Sequence, residues 1–300
     1  MSNTDLVHDR TRLASGDLQQ VSPLVRRLIA PNPSPFTFTG TCTYIVGRGK
    51  VAVVDPGPES EDQLAAILGA VDGETVSHIV VTHTHRDHSP GARALKAATG
   101  AQIYGCARHI PIENDASGRL DASHDLDHVP DHEMHDGDRL QGADFSLVAV
   151  HTPGHASNHL CFALPQENAL LSGDHVMAWS TTIVAPPDGV MRDYMESLDK
   201  LRARDDAIYW PGHGGPVLEP QRYVRALAHH RRQREVSILN RLAAGDSDIA
   251  SIVETIYEGL DPRLKPAAAL SVLAHMEDMV NRGIAACDGP ATLVANYRKP

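Results

Sequence analysis

Directly after an apolar run, residues 81–91 read "VTHTHRDHSPG", which puts His83, His85, Asp87 and His88 within six positions. This stretch constrains the fold more than any other. "VSHIVVTH" is a near-continuous apolar strand of the kind buried on both faces, and such strands belong to sheets covered on both sides. The strand delivers nitrogen donors at its end, where a surface loop would normally carry only simple polar residues. His83 and His85 are two apart in chain expected to be still extended, so their imidazoles leave the same side. Asp87 and His88 follow as the chain turns into the next helix and should point elsewhere. That makes two donor pairs, suited to two ions a few ångströms apart, and the remaining ligands must come from other parts of the chain.

Those ligands stand where other strands end. "FSLVAVHTPG", "HLCFAL", "ALLSGD" and "AIYWPGHGGP" each read as a strand finishing near a His, Gly or Asp, and they supply His155, Asp174 and His213. Upstream, "FTFTGTCTYIVGRGKVAVVDPGP" reads as two or three strands with a turn at Gly47–Gly49. Ser60 with Gln63 has the spacing of a capping box and opens a helix that runs toward Gly73. "PGARALKAATG" is a second helix, stopped by Gly100, and "AQIYGC" a further short strand. Alternating strands and helices imply an α/β layered architecture.

Bulk properties narrow the function. At 300 residues, one large domain and a small one are expected. No apolar run reaches eighteen residues, and the polar start "MSNTDLVHDRTRLASGD" lacks the apolar core of a secretory signal, so a cytoplasmic protein without a membrane span is expected. Cys42, Cys106, Cys161 and Cys287 lie far apart with no Cys-x-x-Cys pair and read as isolated reduced thiols. The net charge is −11, yet residues 221–300 carry 11 Lys and Arg against 9 Asp and Glu, so the acidity sits in the first 220. An acidic body argues against a general polyanion binder, since phosphate contacts need Lys and Arg.

The texture changes past Glu219. A long helix ended by Gly245, a second capped by Ser247, a third from about Pro266 to Gly283, and a hairpin around Asp288-Gly289 describe a winged-helix-like module. The expected domains are therefore 1–220 and 221–300. The basic run "HHRRQR", His229 to Arg234, is consistent with nucleic-acid recognition, but a solvated face or domain-interface packing fits a tail of such small net charge better.

Histidine is abundant, at 18 residues. In the acidic segment "DASHDLDHVPDHEMHDGD", His124, His128, His132 and His135 read as solvated members of an exposed loop rather than as another metal site. His175, beside Asp174, reads as a packing or ligand-supporting residue. His159, four after His155, either orients a ligand or approaches substrate.

Taken together, His83, His85, Asp87, His88, His155, Asp174 and His213 resemble the ordered motifs of the metallo-β-lactamase superfamily, over roughly Phe36 to Pro216. The resemblance implies an α/β fold, an αββα metallo-β-lactamase sandwich with a small C-terminal winged-helix-like domain. It implies that His83, His85 and His155 hold one metal, that Asp87, His88 and His213 hold a second, and that Asp174 bridges both. Asp87 and Asp174 would be the catalytic acids, and Asp55 in "VVDPG" a supporting acid rather than a ligand. The implied cofactor is two zinc ions, with Fe or Mn as alternatives. The implied activity is hydrolysis of an ester, thioester or phosphodiester by a hydroxide shared between the ions.

The whole chain looks most like the β-lactamase-like endoribonuclease group and its bacterial relatives, although Cys42 stands where that group usually has Asn. Alternatives are a glyoxalase-II-like hydroxyacylglutathione hydrolase, a single-iron persulfide dioxygenase, and a nuclease specific for RNA. The partners implied are a small-molecule substrate or single-stranded RNA, with a homodimer left open and no membrane. Trp179 and Thr181–Thr182 are expected to line the substrate cleft.

Overall fold

The computed structural model describes residues 6–111 and 124–300, so the first part of the acidic segment lies outside the described residues. Two sheets are stacked. The first contains, in both chain and spatial order, β1 (Gln19–Gln20), β2 (Val25–Ile29), β3 (Cys42–Val46), β4 (Lys50–Val54), β5 (Thr75–Val81), β6 (Gln102–Gly105) and β7 (His132–Glu133). The second has the spatial order β12 (Ile208–Pro211), β11 (Ala169–Gly173), β10 (Leu160–Leu164), β9 (Ser146–His151), β8 (Arg139–Gln141). Val53 and Ile79 of the first sheet share a buried cluster with Leu147 and Phe162 of the second, so the main core lies between the sheets.

Helices cover the sandwich. α1 (Glu61–Ala70) and α2 (Gly91–Thr99) pack on the first sheet through Ile67 and Leu95. Ser60 caps α1 by accepting from the Gln63 amide at 3.3 Å, while the Gln63 side chain turns to the Thr43 hydroxyl instead of back to Ser60. Only half of the capping box forms. Gly100 ends α2 in the left-handed region, at φ 75°. On the second sheet, α3 (Met191–Arg202) seats Tyr194 and Leu198 against Val150, Cys161 and Leu170.

The topology aligns the strand ends that matter. β4, β5 and β6 run parallel, as do β11 and β12. Parallel neighbours finish on the same edge, and in open α/β sheets that carboxyl edge is where ligands bind. The loops after β4, β5, β9, β11 and β12 carry Asp55, residues 83–88, His155, Asp174 and His213.

Three local points go beyond the sequence reading. "FTFTG" is a turn, not a strand, with Phe38 at φ 58°. The chain already leaves β5 at Val81, so His83 and His85 stand in a loop, yet their rings still meet, with centroids 4.6 Å apart. β2, fully buried, went unread because the polar lead-in masks it.

The C-terminal part contains α4 (Pro220–Ala243), α5 (Ile249–Ile256), α6 (Lys265–Asn281) and a small hairpin of β13 (Ala286–Cys287) with β14 (Tyr297–Arg298). α4 serves two cores. Val224, Leu227 and Ala228 pack with α3, while Ile238 and Leu242 join Ile252, Met276 and Tyr297. Asp248, rather than Ser247, caps α5 by accepting from the Ser251 amide at 2.9 Å. The Ser247 carbonyl instead accepts from the Tyr297 amide at 2.7 Å, which ties the helix start to the hairpin. Among the described residues, no helix is long and apolar enough to cross a membrane.

Candidate metal centre

All seven predicted donors come together. His83, His85 and His155 bring ligand atoms within 4.8 Å of one another, and so do Asp87, His88 and His213. Asp174 stands between the two sets. Its Oδ2 lies 3.6 Å from His155 Nε2 and 3.3 Å from His213 Nε2, and its Oδ1 lies 3.5 Å from His88 Nε2. Gly212 makes this approach feasible: a Cβ there would sit 2.3 Å from Asp174 Oδ1 and 2.7 Å from the His88 ring.

The orientation of each ring says more than its proximity. His83 Nδ1 faces the Thr82 hydroxyl at 2.9 Å, His88 Nδ1 faces Asp55 Oδ2 at 2.9 Å, His155 Nδ1 faces the Ile183 carbonyl at 2.7 Å, and His213 Nδ1 faces the Gly40 carbonyl at 3.2 Å. Each outer nitrogen is held by the scaffold, and each Nε2 turns inward. Metal-binding histidines are arranged this way, because the outer hydrogen bond fixes the tautomer and the ring direction. The inward Nε2 atoms of His83 and His155, and Asp174 Oδ1, are buried with no hydrogen-bond partner. Buried polar atoms are rarely left so. A cation is the group that would satisfy all three.

Electrostatics agree. Burial, with help from neighbouring histidines, holds His83 and His85 well below the ordinary imidazole range, so both are neutral lone-pair donors. On the other side, burial would lower His213, but Asp174 and Asp87 outweigh it and raise it to about 10. His88 is likewise raised against burial by Asp87, Asp174 and Asp55. Two acids face two imidazoles whose Nε2 atoms are 3.3 Å apart, so this half of the site calls for positive charge. The donor set suits borderline-to-hard divalent ions such as zinc.

Asp55 behaves as the supporting acid. Besides His88, it accepts from the Thr82 amide at 2.8 Å and the Thr82 hydroxyl at 2.7 Å. It does so with φ 48°, a conformation that costs a non-glycine residue energy and persists where the surroundings over-determine it. His159 orients rather than touching substrate: buried, it faces the Thr152 hydroxyl with Nδ1 and accepts from the Asp174 amide with Nε2 at 3.2 Å. His175 packs, with its ring 4.6 Å from that of Tyr194. Cys42, in place of a polar residue, is fully buried, and its Sγ reaches the Gly214 carbonyl at 3.6 Å. Burial pushes its thiol up to about 11, which makes it an inert packing group.

The acidic segment overturns the expectation of solvated histidines. His124 and His128 are buried, whereas His132 and His135 are exposed. His124 pairs with His85 in an isolated bridge, its Nδ1 meets the Thr84 hydroxyl at 3.0 Å, and its Nε2 lies 3.3 Å from Asp188. Asp188 in turn accepts from the Ser157 amide and hydroxyl. His124 and Asp188 thereby clamp the loops of His85 and His155. With His109 they also place donor atoms within 4.8 Å of one another. However, the His109 and His124 rings stack at 3.6 Å with 2° between their planes, and in-plane lone pairs of parallel rings do not converge on one ion.

The centre opens into a cavity of about 400 Å³. Trp179, Thr181 and Thr182 line it as expected, and Phe38 stacks on Trp179 at 4.9 Å. Its far wall comes from the C-terminal helices, through Arg231, Arg234, Leu264 and Ala268 among others. Sequence reading missed this contribution.

The sequence and the fold both have known relatives. The sequence model of the metallo-beta-lactamase superfamily matches residues 36–213, and that of the beta-lactamase associated winged helix domain matches 249–290. The chain is 32% identical over 254 residues to an atrochrysone carboxyl ACP thioesterase of Paecilomyces divaricatus, covering 82% of this chain and 73% of that one. It is 29% identical over 274 residues to the beta-lactamase-like protein 2 homolog of Drosophila melanogaster, covering 86% and 88%. A beta-lactamase domain protein from Burkholderia ambifaria has the same fold, with a TM-score of 0.79 at 21% identity over 97% of this chain and 95% of that one. A sandwich that gathers these strand-end donors on one edge, joined to a winged-helix module, therefore belongs to the metallo-β-lactamase superfamily.

Proposed function

We propose that the protein is a dinuclear zinc hydrolase acting on an ester or thioester carbonyl. His83, His85 and His155 would hold one ion, Asp87, His88 and His213 the other, and Asp174 both. The observation that carries this reading is the inward turn of the Nε2 atoms while the outer nitrogens are held by Thr82, Asp55, Ile183 and Gly40. Bound divalent ions supply a nucleophilic hydroxide near neutral pH and Lewis acidity toward a carbonyl.

The chain's own residues do the rest. Asp174 holds two histidine sets in register, and the His159 ring fixes its backbone amide. Asp87 Oδ2, 3.1 Å from His213 Nε2 and 3.4 Å from the Thr41 hydroxyl, faces the cavity and is placed to take a proton from a water or return one to a leaving group. Phe38 and Trp179 exclude water on one side. An acyl substrate is favoured because Phe36, Phe38, Met177, Trp179, Ile183 and Leu264 give the cavity an apolar portion of wall beside the donor cluster. A relative's name as an acyl-carrier-protein thioesterase points the same way.

The test is metal analysis combined with a panel of thioester, ester, lactone, phosphodiester and RNA substrates. About two zinc ions per chain and thioester or ester turnover are expected. A single iron with oxygen consumption, or turnover of RNA alone, would sink the reading.

A further inference from the structure

We propose that Arg231 and Arg234 form an anion-recognition subsite in the cavity, selecting substrates whose apolar body ends in a carboxylate or phosphate away from the scissile bond. The inference rests on reading this cavity as the substrate site.

Both arginines come from the basic run of α4 that sequence analysis read as a solvated or interface face. Arg231 is 3% exposed and lines the cavity, and Arg234 is half-buried on the same wall. A guanidinium offers five donors in a fork that matches a carboxylate or phosphate. Arg231 donates from Nη2 to the Thr182 carbonyl and stacks over Tyr194 at 5.1 Å; Arg234 donates from Nη1 to the Ile256 carbonyl and lies over Tyr257 at 4.1 Å. The Nε of each is buried with no hydrogen-bond partner. Among the described residues, neither makes an ion pair with a carboxylate. The cavity's own acids, Asp87, Asp174 and Asp188, are engaged with histidines instead.

A buried cation with no counter-charge is strongly destabilising, so its persistence argues for an anion that arrives with a ligand. The surroundings supply no counter-charge: His230 Nδ1 and both ring nitrogens of His275 are buried without hydrogen-bond partners, and burial together with the two arginines holds His230 down at about 4 and His275 well below the ordinary imidazole range, so both rings are neutral. Nor does the protein's net charge of −11 attract anions from a distance, so the pair serves local recognition.

The subsite is also coupled in space to the metal centre. The Thr182 carbonyl accepts from Arg231 while its hydroxyl donates to the Asp174 carbonyl at 2.7 Å. One residue therefore sets the distance between cation pair and reacting centre. The same cavity is lined by the Phe38–Trp179 stack, Leu264 and Ala268, which suit an apolar spacer.

The experiment compares glutaryl and valeryl thioesters of N-acetylcysteamine, which differ in a distal carboxylate, on the zinc-loaded protein and its Arg231→Gln and Arg234→Gln variants. In parallel, calorimetry measures glutarate and inorganic phosphate binding to metal-stripped wild type and Arg231→Gln. The expected result is a preference of roughly 10- to 100-fold in kcat/KM for the glutaryl substrate, expressed mainly in KM and collapsed by Arg231→Gln. Arg234→Gln should lose a smaller part, and it keeps the test alive if Arg231→Gln does not fold. The stronger binder of glutarate and phosphate assigns the group recognised. Equal turnover of both thioesters by wild type, or anion binding unchanged by Arg231→Gln, would overturn the proposal. Should no thioester react while metal-stripped protein still binds glutarate or phosphate through Arg231, the anion subsite stands and only the hydrolase reading fails.

Discussion

Two stretches of this chain are rich in histidine and aspartate, residues 83–88 and 124–135, yet they do opposite things. In the first, every donor turns into one centre. In the second, His124 and Asp125 brace that centre from behind, His128 packs, and His132 and His135 meet solvent. Composition is similar, but the address in the fold differs. The first follows β5, a central strand flanked by parallel partners, so its loop opens on the carboxyl edge. The second reaches the site where His124 bridges His85 and the Asp125 amide donates to the Thr84 carbonyl at 2.6 Å, before the chain pairs at the sheet margin as β7. Density of donor residues therefore does not identify a metal site. Convergence of held rings does.

The largest effect should come from the first stretch and its partners. Asp174→Ala removes the group that bridges both donor sets, and turnover should fall well beyond the roughly 100-fold that loss of an outer partner costs. Bound metal, measured by plasma emission, should fall with it. Full activity in chelator-stripped protein would break the comparison outright, because the first stretch would then be no more catalytic than the second.

Next come residues that hold the donors without being donors. Asp55→Asn leaves His88 without its carboxylate acceptor, and His124→Ala removes the link from Thr84 to Asp188. Each should cost about 10- to 100-fold in activity or metal affinity. The measurement that matters is His124→Ala against Asp174→Ala. Partial metal retention in the former marks a brace, and equal metal loss would move His124 into the ligand set.

How much of this was legible follows the same division. The seven converging residues were readable because spacing within residues 83–88 and the habit of ending strands on His or Asp are local signals, and because together they resemble the ordered motifs of one family. α1, α2 and the three C-terminal helices were readable from caps and apolar periodicity, although the cap of α5 sat one residue later than read. His124 was not readable, since its burial depends on a bridge to His85 across 39 positions of chain. Arg231 was hidden for a related reason. In sequence it belongs to a basic run, and only the packing of α4 against the Thr182 loop carries it inside.

A smaller effect separates bracing from catalysis within the second stretch. Asp125 is buried and accepts from the Ser89 hydroxyl at 2.9 Å and from Arg93 Nη1 at 2.6 Å. Asp125→Ala removes the short acceptor of the buried Ser89 hydroxyl and leaves it only the His85 carbonyl at 3.5 Å, and the expected loss is about 1–3 kcal/mol in denaturant unfolding. Metal stoichiometry should be unchanged in the protein that remains folded. A loss of metal without a loss of stability would show that the segment acts on the centre itself.

The smallest expected effect is the sharpest test of the comparison, because it asks whether histidine density means anything by itself. His132 faces Gln102 at the surface, with 2.9 Å between Nε2 and the amide oxygen, and His135 lies 3.8 Å from Glu133. Both are solvent-exposed, and side chains so placed contribute within about 0.5 kcal/mol. The double variant His132→Gln, His135→Gln should therefore match the parent in unfolding midpoint, zinc content and turnover. A drop in zinc content alone would mean that exposed imidazoles of this segment feed or hold the ions. The two histidine-rich stretches would then be parts of one metal-handling surface instead of a centre and its scaffold.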